Sequence, residues 1–245
     1  MSKIEVKKFN KLFGISDDKL GDTLVISPFF KPKLFFSRLK NPEYFKGILF
    51  YGVTGIFNNK RVSFICTGMG QSLVADCVLA QDSKKIKKIF FLGAVGAIRD
   101  LEIADNVIIE KAIFDSTYYR QFNIKLSESS KKEFFPSVKL VKEALSMAKE
   151  KNFIIKKINT ISIHTFINQG IEIGKELFQA GMQSVDLECA LFYAAAEIRQ
   201  INAIAFCFVS DDILKQPFWG NFSLQEKSMI KNQMIELVDF TLGLG

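Results

Sequence analysis

Four carboxylates in two short stretches carry the chemistry that this sequence offers. Ser184-Val185-Asp186-Leu187-Glu188-Cys189-Ala190 places two acids just ahead of an apolar segment with helical spacing, Leu191 to Ala196. About twenty residues further on, Ile204-Ala205-Phe206-Cys207-Phe208-Val209-Ser210-Asp211-Asp212 reads as a buried strand that ends in two more. An acid beside an apolar strand is pushed toward its protonated form, which suits proton donation near neutral pH. Plainer roles compete. Glu188 also reads as a helix-start charge that complements the dipole, and Asp211 as an Asx turn or N-cap after the strand.

Two glycine-bearing turns and two further segments complete the candidate chemistry. Cys66-Thr67-Gly68-Met69-Gly70-Gln71-Ser72 follows one strand and opens a helix, so its backbone amides form a site for an anion or a hydroxyl. A tight strand-to-helix turn explains the same glycines. Phe90-Phe91-Leu92-Gly93-Ala94-Val95-Gly96-Ala97 is a second strand running into small residues. Pro28-Phe29-Phe30-Lys31-Pro32-Lys33 follows another strand, and His164-Thr165-Phe166-Ile167-Asn168-Gln169-Gly170 holds the single histidine, at a strand end where a structural role is the commoner one.

The elements that must position these residues alternate. Buried-strand patterns run over Thr23 to Ser27, Gly47 to Tyr51, Val53 to Phe57, Val62 to Thr67, Lys88 to Leu92, Asn106 to Phe114, Ile158 to Ile163 and Ala203 to Val209. Helical spacing covers Ser72 to Asp82, Ser137 to Lys151, Gly170 to Ala180, Glu188 to Gln200 and Ser223 to Leu242. Asn58-Asn59 predicts a hairpin turn, and the polar stretch Phe122 to Phe135 a surface loop or flap. Strands alternating with helices predict a single α/β domain over residues 1–245, three α/β/α layers around a central mixed sheet.

Composition narrows the class. The chain has 245 residues, 48% apolar, with 25 Phe, enough for one large core. Its net charge of +7 comes from 33 basic against 26 acidic residues, and the lysines cluster at Lys84 to Lys88 and Lys149 to Lys157, runs that read as solvated helix ends. No nucleic-acid-binding motif accompanies them. Cys66, Cys77, Cys189 and Cys207 have no paired spacing and sit in apolar runs, as core thiols of a reducing compartment do. With one His and scattered cysteines, no metal site is expected. No apolar run is long enough to span a membrane, and the N-terminus lacks a signal-peptide pattern, so a cytoplasmic protein is expected.

The acid-bearing segments resemble those of the nucleoside phosphorylase family, which includes purine nucleoside phosphorylase, uridine phosphorylase and the methylthioadenosine nucleosidases. The resemblance extends from about Leu24 to Leu242. It implies that Glu188, with Asp186 and Leu187 in the Val-Asp-Leu-Glu segment, grips the ribose hydroxyls, that Met69 packs on the sugar, and that Phe166 and Ile167 hold the base. It also implies that Asp211 protonates a purine leaving group. The Gln-x-Arg element by which uridine phosphorylases hold uracil is not present, which favours a purine. The phosphate residues depart from the pattern. Phe91 stands where phosphorylases carry Arg, Ala94 replaces a Ser or Thr hydroxyl beside Gly93, and Lys33 and Lys46 are the cations left to substitute at a phosphate site. The resemblance therefore implies a purine-nucleoside-cleaving enzyme without cofactor, with inorganic phosphate as co-substrate at an altered site. Two rivals are a nucleosidase using water and a non-catalytic nucleoside-binding protein. By the same resemblance the chain forms a homo-oligomer, dimer or hexamer.

Overall fold

The computed structural model describes residues 5–115, 131–165 and 170–245, and within them seven α-helices and ten strands. The first half comprises α1 (Val6–Phe13), β1 (Thr23–Ser27), α2 (Lys33–Phe36), β2 (Lys40–Lys46), β3 (Tyr51–Phe57), β4 (Lys60–Cys66), α3 (Gln71–Leu79) and β5 (Lys88–Ala97). The second comprises β6 (Asn106–Asp115), β7 (Lys131–Phe134), α4 (Val138–Glu150), β8 (Lys156–Ser162), α5 (Ile171–Gln179), β9 (Ser184–Asp186), α6 (Cys189–Arg199), β10 (Asn202–Asp212) and α7 (Leu224–Leu244). All ten strands belong to one mixed sheet.

Strict alternation along the central strands builds a core on each face. Along β10, Ala203, Ala205, Cys207 and Val209 join the cluster that holds residues of α3 and α6, whereas Ile204, Phe206 and Phe208 join the one that holds residues of α4 and α7. Strand β5 divides likewise, with Ile89 and Phe91 on one side and Phe90 and Leu92 on the other. The phenylalanines fill this core largely through ring contacts: Phe91 meets Phe192 with centroids 5.3 Å apart, and Phe206 meets Phe240 edge-on at 5.6 Å.

The pairing of β5 creates the opening in the fold. Strand β10 runs parallel along its whole length, from Lys88 to Ala97. On the other edge β1 pairs with Lys88 to Phe91 and stops, and antiparallel β9 takes over at Gly96 and Ala97. Between those partners the edge of β5 is uncovered. That gap lies at the carboxyl end of a parallel pair, where open α/β sheets bind ligands.

Several sequence expectations are refined. Gly47 to Tyr51 is not a strand but the turn into β3: Gly47 N–H donates to the Phe50 carbonyl at 2.8 Å, and Ile48 and Leu49 are exposed. The strand before it, β2, escapes an apolar pattern because it is an edge strand in which Phe45 is the buried residue. The Asn58-Asn59 turn forms as expected, with φ of 48° and 62°. Of the polar stretch Phe122 to Phe135, residues 131–134 pair with β6 as β7, and residues 122–130 lie outside the described residues.

Phe91 belongs to the core; it is 1% exposed and does not line the cleft described below. Phe91→Ala is expected to lower stability by about 3–5 kcal/mol in urea denaturation. A loss below about 1 kcal/mol would show that the ring is not packed as described.

Candidate functional site

The gap beside β5 opens into a cleft of about 290 Å³. Its polar wall is Asp186, Glu188, Ser210 and Asp211; its apolar wall includes Pro28, Phe29, Ala94, Phe208, Phe218 and Ile230. A groove of about 570 Å³ near the start of β10, beside Phe135, Glu197 and Gln200, is larger but gathers no such set of acids.

A bulge aims Asp211. Val209 pairs with Val95 and Asp211 with Gly96, so Ser210 is an extra residue that shifts the alternation of β10 just where the strand leaves the core. The Ser210 hydroxyl donates to Asp211 Oδ1 at 2.5 Å, and the Phe218 backbone N–H also acts on this carboxyl. Asp211 is 3% exposed, and burial raises its carboxyl above the ordinary range against the opposing pull of the Ser210 hydroxyl. The turn role belongs to its neighbour. Asp212 Oδ1 accepts the Leu214 and Lys215 N–H groups, each at 3.0 Å, forming the Asx turn.

Glu188 does not cap the helix that it precedes. It is the N-cap residue of α6, yet its side chain makes no capping bond and crosses to α3, where Oε1 accepts the Gly70 N–H at 2.8 Å. Gly70 has φ 111° and ψ 145°, a conformation open essentially to glycine alone. The amide of the Gly-Met-Gly turn, read from sequence as a site for a ligand's anion, is thus occupied by the protein's own carboxyl. Burial and the negative charge of Asp186 push Glu188 up to about 8. Met69, half exposed on the same turn, lines the cleft, as does Leu187.

Asp186 performs the capping instead. Its Oδ1 accepts the Ser162 hydroxyl, the Glu188 N–H at 3.1 Å and the Cys189 N–H at 3.3 Å. The Ser162 oxygen in turn accepts the Ala190 N–H at 2.9 Å.

The remaining candidates fall elsewhere. Lys33 and Lys46 do not line the cleft; with Lys31, Tyr44 and Tyr51 they border a separate groove. Gly93 is buried in β5 opposite Cys207, where a side chain would strike the Phe91 ring. Ala94 reaches the cleft. Phe166 and Ile167 lie outside the described residues. His164 has its Nδ1 3.1 Å from Gln71 Nε2, and burial holds its imidazole below the ordinary range. No lysine, arginine or histidine lines the cleft among the described residues. Sequence reasoning missed Phe29 and Phe208 as walls and Ser162 and Ser210 as supports, because their roles depend on a bulge and on contacts between distant strands.

The model of the phosphorylase superfamily matches residues 30–231. The chain belongs to the phosphorylase superfamily. Among curated relatives, the DeoD-type purine nucleoside phosphorylase of Bacillus cytotoxicus is 30% identical over 192 residues, covering 76% of this chain and 77% of the relative. The DeoD-type enzyme of Alkaliphilus metalliredigens is 27% identical over 169 residues, 67% and 70% of the two chains. Among solved structures, the Campylobacter jejuni 5′-methylthioadenosine/S-adenosyl homocysteine nucleosidase gives a TM-score of 0.77 at 14% identity, covering 91% of this chain and 98% of that one. Uridine phosphorylase of Vibrio fischeri gives 0.76 at 12%, covering 94% of each. These neighbours share the fold, with its central mixed sheet. No described helix of this superfamily member is long and apolar enough to cross a membrane.

The shift at Glu188 has a consequence for stability. Its ordinary value is 4.5 and its folded value about 8, so the folded state holds the proton more tightly. The protein therefore loses stability as pH rises from below 5 through 8. Glu188→Gln keeps an acceptor for Gly70 and abolishes that loss. Thermal melts should show the variant more stable than the parent at pH 8–9, with the gap closing toward pH 5. A constant gap would contradict the buried, protonated carboxyl.

Proposed function

We propose that this superfamily member cleaves the N-glycosidic bond of a purine nucleoside. The observation that carries the reading is one cleft holding two carboxyls of opposed duty. Asp211, raised by burial and steadied by Ser210, is the acid that protonates the departing purine, so that the base leaves without negative charge. Glu188 accepts the ribose hydroxyls, and in its ionised form it stabilises the positive charge that grows on the sugar ring. Met69 covers the sugar from the mouth of the cleft.

The attacking group is the finer question. The lining favours water. A phosphate dianion entering the cleft would face Asp186, Glu188 and Asp211 with no cation beside it among the described residues, against Pro28, Phe29, Ala94 and Phe208. The curated relatives favour the second reading, phosphorolysis, since those named are purine nucleoside phosphorylases. Phosphate would then be the co-substrate, held by Lys33 and Lys46 only if their groove communicates with the cleft in a homo-oligomer. A cytoplasmic, dimeric or hexameric enzyme of purine nucleoside metabolism fits both readings; light scattering on the purified protein tests the assembly.

Adenosine, inosine, guanosine and methylthioadenosine should each be incubated with the protein while free base is measured. Release of a purine from at least one is expected, and Asp211→Asn should lower kcat by about 10²–10⁴. Binding without release in the parent would leave a nucleoside-binding protein. Unchanged turnover in the variant would remove Asp211 as the acid.

A further inference from the structure

We propose that Asp186 is a positioning residue: it clamps the first turn of α6 from within the cleft wall, which leaves the Glu188 side chain free to cross to Gly70 and meet the sugar. The inference rests on the nucleoside reading above and assigns Asp186 a role other than contact with the nucleoside.

The first N–H groups of a helix have no intrahelical acceptor, and the residue at the N-cap usually supplies one from its own side chain. Glu188 occupies that place in α6 and does not supply one. Were it to fold back onto its own helix, its carboxyl would be lost to the cleft. Two acceptors from outside the helix make folding back unnecessary. Asp186 Oδ1 takes the Glu188 and Cys189 N–H groups, and Ser162 Oγ at the end of β8 takes that of Ala190. The Ser162 hydroxyl donates to the same Asp186 oxygen, so the acceptors hold each other. Three successive amides of the helix start are satisfied while the Glu188 carboxyl is left over, and Gly70 fixes its direction.

The clamp also brings a second negative charge two residues from Glu188. Among the described residues, the groups that act on Glu188 are Asp186 on β9, the buried Cys207 thiol on β10 and the N–H groups of Leu187 and of Gly70 ahead of α3, with Asp211 lining the same cleft. None of the side chains is cationic. Glu188 must ionise to serve as a good acceptor for two hydroxyls, so nucleoside affinity should rise with pH until Glu188 is ionised. Asp186 sets where that rise occurs.

Three variants separate this role from a direct contact. Asp186→Ala removes the clamp and should raise KM for the purine nucleoside about ten-fold or more, with a smaller change in kcat. Asp186→Asn keeps the oxygen acceptor and discards the charge. It should restore KM to near the parent value and move the pH midpoint of affinity to lower pH. Ser162→Ala, a milder change, should raise KM in the same direction as Asp186→Ala and serves if that variant fails to fold. Thermal melts report folding throughout, and Glu188→Gln should flatten the pH dependence. An Asn variant as defective as the Ala variant, an unmoved midpoint, or an unaltered KM in Ser162→Ala would overturn the proposal. Failure of the parent to bind any purine nucleoside at any pH would instead sink the functional reading.

Discussion

Strand β5 has two edges and three partners, and that constraint organises the molecule. One edge is taken throughout by β10. The other is divided between β1, which leaves after Phe91, and β9, which arrives at Gly96 from the opposite direction. Where neither partner covers the strand, the sheet opens, and Ala94 within that stretch and Gly96 at its margin line a cleft. The chain segments that end beside this opening deliver the site: Pro28 and Phe29 after β1, Met69 after β4, Asp186 and Glu188 around the short β9, and Asp211 at the end of β10. The cleft is a consequence of strand pairing, and side chains merely furnish it.

The furnishing is electrostatically unusual. A protein of net charge +7 keeps three carboxyls in one pocket, and among the described residues no lysine lines it. Such a pocket is tolerable only if protons are retained or hydrogen bonds are supplied. Both occur. Asp186 is held by a hydroxyl and two backbone amides, Asp211 by the Ser210 hydroxyl, and burial and the Asp186 charge push Glu188 up to about 8 although it accepts the Gly70 N–H. The same arrangement that tunes these acids makes the cleft a poor host for an anion. The departures visible at Phe91 and Ala94 belong to that picture: the first ring packs against Phe192 in the core, and the second side chain is one small part of an apolar wall.

Local pattern made much of this legible. Apolar runs located the central strands because those strands are buried on both faces, and the helices followed from their spacing. The acids stood out because an acid at the end of an apolar run is hard to explain by packing. What escaped depended on partners distant in sequence. Strand β2 is charged and at an edge, β9 is three residues long, and neither leaves a periodic trace. The bulge at Ser210 exists only in the register between β10 and β5. The exchange of roles, by which Asp186 caps while Glu188 reaches out and Asp212 turns while Asp211 waits, cannot be read from four acids in a line. It follows from which amide each carboxyl meets.

In the proposed reading, the acid-walled cleft breaks the glycosidic bond with water in place of phosphate. The most direct test is the identity of the sugar released from a purine nucleoside that the protein cleaves, measured by mass spectrometry with phosphate present in excess. Free ribose, released at the same rate when phosphate is omitted, is the result the account predicts. Ribose 1-phosphate, with release that stops when phosphate is removed, would contradict it.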